Sequence, residues 1–84
     1  MKYFAEVIVT LKNGVRDPQG AAVDTVLRRT GMETESEVKV GKYFTLNVNA
    51  ENEKDAKEKI NRISEDVLSN PILESYTIGR LQQL

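Results

Sequence analysis

Residues 37–50, EVKVGKYFTLNVNA, are the longest unbroken strand-like run in the chain, and they constrain the fold more than any other stretch. Val38, Val40, Phe44, Leu46, Val48 and Ala50 all fall on even positions, so a single extended ribbon would show one apolar face. The run is more than twice the usual strand length of about 5–6 residues. Its alternation has one defect, at Gly41 and Lys42, where the chain either turns back as a hairpin or runs on with a kink. Val40 and Phe44 both belong to the apolar face. A hairpin would therefore pair them across a loop of residues 41–43, whereas a two-residue turn would drive Tyr43 into the core.

The chain can support only a small core. Eighty-four residues make one domain, 1–84, and a domain of that size buries about 60–65% of the surface its unfolded chain exposes. The sequence has neither cysteine nor histidine, so no disulfide and no thiolate or imidazole metal site adds stability, and self-association is the remaining source. Lys+Arg 12 stand against Asp+Glu 13, which provides no basic field for nucleic acid or an anionic membrane. The apolar runs fall far short of the roughly 18 residues that span a bilayer, and the N-terminus lacks a signal peptide's apolar core and cleavage site. A soluble, cytoplasmic protein is the expectation.

From the start, residues 2–12 predict a strand, with Tyr3, Ala5, Val7, Val9 and Leu11 on one face and Phe4 and Ile8 mixed among polar residues on the other. NGVRDPQG, residues 13–20, is the densest punctuation in the chain. Asn13-Gly14 suits a turn because both tolerate positive φ, and Asp17-Pro18 suits a helix start, with a capping carboxylate before a proline at the first helical position. The helix expected over 18–30 carries Val23, Val26, Leu27 and Thr30 as a core-facing stripe and ends at Gly31. Arg28 and Arg29 suit the negative end of its dipole. Residues 32–36 read as a polar connection. Asn52 caps a second helix, with Asp55 as a weak capping-box partner and Ala56, Ile60, Ile63 and Val67 as a narrow stripe. Its other face pairs acids and bases at i, i+4, as in Glu53 with Lys57 and Asp55 with Lys59, and is a solvated face. Ser69-Asn70-Pro71 ends it. A last strand is expected over 72–81, less clean in its sidedness, followed by a fraying tail.

The order strand, helix, long ribbon, helix, strand predicts an α+β, ferredoxin-like βαββαβ two-layer sandwich: an antiparallel sheet with two helices on one face. If the ribbon stays extended, its second half can complete a neighbour's sheet, giving a segment-swapped dimer. Chemistry is hard to find. Without histidine or cysteine there is no nucleophile–base pair, and no serine or threonine sits in a nucleophile turn. The glycines form neither GxGxxG nor a P-loop. No catalytic, cofactor-binding or metal-binding residue is assigned.

LKNGVRDPQG at residues 11–20, VKVGKYFTLNV at 38–48 and SNPILESY at 69–76 together resemble the PurS family, the small accessory subunits of phosphoribosylformylglycinamidine synthase. Gly14, Asp17, Pro18, Gln19 and Gly20 match that family's first motif, Gly41 and Lys42 its second, and Asn70, Pro71 and Tyr76 its third; Thr30, Gly31 and Met32 depart mildly from it. The resemblance implies a non-catalytic subunit that joins a PurL-type synthetase and a PurQ-type glutaminase and supports ammonia transfer between them. It also implies ferredoxin-like units joined in a segment-exchanged homodimer or a dimer of dimers, and no cofactor. Val15, Arg16, Gln19, Lys42 and Tyr43, which the core does not need, are the expected partner contacts. An ACT-type small-ligand-sensing domain, which also pairs ferredoxin-like units, is the alternative.

Overall fold

Strict alternation in the first strand decides where the core lies. In the computed structural model, which describes every residue except Glu33, β1 (Lys2–Leu11) is the central strand of an antiparallel sheet of order β2-β1-β3, with β2 at Gly41–Asn49 and β3 at Glu74–Gln83. Tyr3, Ala5, Val7 and Val9 all point to one side and are 4% exposed or less. Helix α2 (Glu53–Ile63) covers that side with the fully buried Ala56 and Ile60, and Phe44, Leu46, Val48, Tyr76, Ile78 and Leu81 of the flanking strands close the layer. This is the expected α+β architecture of sheet and helix layers.

The 37–50 ribbon does not fold back as a hairpin. Only Gly41–Asn49 joins the sheet, from Thr10↔Gly41 to Lys2↔Asn49, while residues 37–40 leave it and run along helix α1 (Pro18–Arg29). The break falls at Gly41 because the ribbon passes close to β1 there: a β-carbon at Gly41 would lie 2.6 Å from the Val9 carbonyl oxygen. Tyr43 stays out of the core, 61% exposed.

The uneven sidedness of the last strand has a definite cause. Ile78 pairs with Val7 but Leu81 with Ala5, so three steps on β3 answer two on β1. The bulge at Gly79 and Arg80 switches parity and returns Leu81 to the core face. The strand also continues further than its composition suggests. Gln82 and Gln83 pair with Phe4 and Tyr3, and Leu84 N–H donates to Lys2 O at 2.9 Å, so the expected fraying tail is part of the sheet.

Both helix starts follow the sequence. Asn52 Oδ1 accepts from Asp55 N–H at 2.8 Å, while the Asp55 carboxylate accepts from Glu51 N–H, one residue before the position a standard capping box uses. Asp55 also forms the expected pair with Lys59, at 3.3 Å. Two apolar stripes differ from expectation. After α2 the chain makes a π-helical turn, Ser64–Leu68, which turns less per residue than an α-helix. It therefore brings Leu68 to the core and leaves Val67 74% exposed. In α1, Val23 and Val26 are 42% and 56% exposed, and Gly20 is the only buried residue. Helix α1 ends as expected, with Gly31 at φ 74° and Met32 N–H reaching Leu27 O, but it lies off the sheet of its own chain. The radius of gyration is accordingly 16.2 Å, where a compact chain of this length would have about 12 Å. Glu33, within the polar connection expected at 32–36, lies outside the described residues.

Replacing Ile60 by alanine should cost about 3 kcal/mol in chemical denaturation, whereas Val67→Ala should change stability by less than about 0.5 kcal/mol. Equal costs would contradict the register given by the π-helical turn.

Candidate assembly surface

The turn after β1 creates the site. Gly14, at φ 85°, reverses the chain, and Val15 N–H returns to Lys12 O at 3.1 Å. This places Asp17 at the start of α1, where Oδ1 accepts from Gly20 N–H at 2.9 Å, as capping requires, and Oδ2 accepts from Val40 N–H at 2.9 Å. Seven residues on, two turns along the same helix face, both oxygens of Asp24 accept from Val38 N–H at 3.1 and 3.3 Å. Between them lies Gly20. A β-carbon there would sit 2.1 Å from the Val38 carbonyl oxygen, so only glycine lets the segment approach the helix this closely. Lys39 Nζ donates to Asn13 Oδ1 at 2.8 Å and ties the same segment to the turn.

The third motif supports this end of the sheet. Leu73 and Glu74 N–H groups return to Asn70 O, and Asn70 Oδ1 accepts from Ile72 N–H at 3.1 Å, which builds the turn that Pro71 starts. Lys12 reaches it twice, N–H to Leu73 O and Nζ to Pro71 O. Tyr76 packs against the core and donates its hydroxyl to Asn61 Oδ1 at 3.0 Å, which locks β3 to α2.

The expected contact residues fall into three groups. Val15 and Arg16 line a cleft of about 640 Å³ between the turn, α1 and residues 37–39. Gln19 and Lys42 line a smaller cleft of about 160 Å³ with Asp17, Val40 and Glu74, and Lys42 lies 3.8 Å from the Glu74 carboxylate. Tyr43 is apart from both, on the sheet face opposite α2. There its hydroxyl donates to Glu6, Arg80 pairs with Glu6 at 3.2 Å, and the Arg80 guanidinium lies over the Phe4 ring at 5.2 Å. The hydrogen bond to Glu6 keeps the Tyr43 hydroxyl protonated above its usual range. Sequence reasoning missed Asp24, Glu6 and Arg80. The first was detectable as a second carboxylate two turns beyond a capping aspartate. The other two depend on strand register and left no local signal.

The amides of Gly20 and Val40 hold the Asp17 carboxyl below its ordinary value of 3.8, the Gly20 bond being the larger cause. Around them lie open outer edges of β2 and β3, an exposed apolar face on α1 and fixed charges. Among the described residues no cluster of three or more potential metal ligands exists.

Such a surface on a small antiparallel α+β unit defines a protein-assembly module, and comparison with known proteins gives its family. The family model for PurS, phosphoribosylformylglycinamidine (FGAM) synthase, matches residues 4–82. The PurS subunit of phosphoribosylformylglycinamidine synthase from Synechocystis sp. is 34% identical over 74 residues, 88% of this chain and 74% of that protein. The structure of Thermus thermophilus PurS overlays with a TM-score of 0.86 at 39% identity, covering 100% of this chain and 99% of that one. A chain of the PurLQS structure from Thermotoga maritima overlays at 0.81 with 34% identity, covering 94% and 98%. The chain belongs to the PurS family.

Because the Asp17 pKa is depressed in the folded state, its contribution to stability is complete above 3.8 and is lost as pH falls through the lower folded value. Amide signals of Gly20 and Val40 followed in an acid titration should hold to about pH 4 and shift only below it; a transition near neutrality would contradict the assigned bonds. Gly20→Ala should release Val38 from α1 even though alanine favours helix by about 1 kcal/mol. Amide hydrogen exchange at Val38 checks this: unchanged protection would show that the contact is not required.

Proposed function

We propose that this chain is the accessory subunit of a phosphoribosylformylglycinamidine synthase, joining its PurL-type synthetase and PurQ-type glutaminase subunits and supporting ammonia transfer between them. The assembled enzyme converts formylglycinamide ribonucleotide, glutamine and ATP to the amidine; this chain carries none of the catalytic groups. The observation that supports this most is the close overlay on a chain of the Thermotoga maritima PurLQS structure, along nearly the whole length of both. The sequence agrees, since a bridging subunit has no need of the histidine and cysteine it lacks. A biosynthetic subunit of this kind works in the cytoplasm, and no helix among the described residues is long and apolar enough to cross a membrane.

A second copy of the chain is the first partner. Helix α1 exposes Val23, Val26 and, just beyond it, Met32, while β2 and β3 each keep one unpaired edge. An apolar helix face and a strand edge left open in one chain are what a segment-exchanged dimer covers. Contacts to the enzyme subunits are assigned to Val15, Arg16, Gln19, Lys42 and Tyr43, side chains that lie outside the hydrophobic core. The test is co-purification with synthetase and glutaminase subunits. Arg16→Glu with Lys42→Glu should weaken capture at least about tenfold, or 1.4 kcal/mol, and leave the folded chain intact by circular dichroism. Full capture by the double variant would remove these residues from the docking surface.

A further inference from the structure

Two carboxylates of α1 take backbone amides from one short segment: Asp24 from Val38, and Asp17 from Val40. In an extended chain, N–H groups two residues apart point to the same edge, and the group between them points to the other. The Val38 carbonyl faces the helix as well, in the space that Gly20 leaves. The Val38–Val40 edge is thus closed by the segment's own chain. On the opposite edge Lys39 is exposed, and its backbone N–H and C=O have no hydrogen-bond partner among the described residues.

We propose that Asp17 and Asp24 are positioning residues that make strand addition at residues 37–40 one-sided. A segment open on both edges can receive a strand on each, which is the route to open-ended pairing, and a contact that does not close on itself grows into filaments. Carboxylates accept hydrogen bonds from the amides of one edge and leave no room for a strand there. A second copy can then pair only along the Lys39 edge, and assembly stops at a closed set of chains. This rests on the reading that a second copy engages the segment.

The two carboxylates can be separated by substitution. Asp17→Ser retains a short acceptor for the helix cap but removes the oxygen that reaches Val40. Asp24→Ala removes the contact to Val38, and Asp24→Asn keeps one oxygen for it. The experiment measures amide exchange at Val38 and Val40, and mass by light scattering across a concentration series, for the parent chain and the D17S/D24A and D17S/D24N variants. The parent should form one closed oligomer. D17S/D24A should exchange both amides at least about tenfold faster, form species larger than the parent oligomer as concentration rises, and keep its helix content. D17S/D24N should recover protection at Val38. A D17S/D24A variant with the parent's mass overturns the proposal, whether or not its amides exchange faster. A parent that stays monomeric overturns the second-copy reading itself, a distinct result.

Discussion

One apolar face of β1, pressed under α2, is nearly all the core that a single chain assembles. Ala5, Val7 and Val9 meet Ile60, and Tyr3 meets Ala56, in a layer one helix wide. Burial of that layer sets the strand order, because a strand buried this completely belongs between two others, and it sets the turn of α2, since Ala56 and Ile60 lie one helical turn apart. It also determines what is left over. A sheet with one helix on it has room for a second, and α1 of the same chain does not occupy it.

The arm that remains is ordered by polar contacts. Asp17 both starts α1 and fastens Val40, Asp24 fastens Val38, and Gly20 allows the backbone between them to lie against the helix. Helix and segment are therefore joined to each other more firmly than either is joined to the sheet. An arm with defined internal geometry and an exposed apolar face loses less entropy on docking than a disordered one, which favours assembly with a partner. The projecting arm suits a subunit that works in contact with other chains.

The parts legible in sequence were those set by near neighbours. The alternation of β1, the turn at Asn13-Gly14, the caps at Asp17 and Asn52 and the stop at Pro71 each depend on residues within a few positions. The stripe on α1 was expected to face the core, yet Val23 and Val26 are exposed, because pattern alone could not show that its own sheet leaves it uncovered. Leu68 replaces Val67 in the core because a π-helical turn changes the angle per residue, and Leu81 reaches the core because a bulge changes strand parity; neither device has a clear local signature here. At the candidate site the glycines and Asp17 stood out by motif. Asp24 did not, since its partner lies fourteen residues away and is a backbone amide.

Intermolecular contacts can be observed directly in a sample that mixes isotope-labelled and unlabelled copies of the chain. Isotope-filtered nuclear Overhauser spectra should show the Val23 and Val26 methyl groups of one copy against apolar side chains of another. If those methyls give only contacts within their own chain, or none, the α1 face is not covered by a second copy, and the account of this chain as an assembly subunit built on exchange is contradicted.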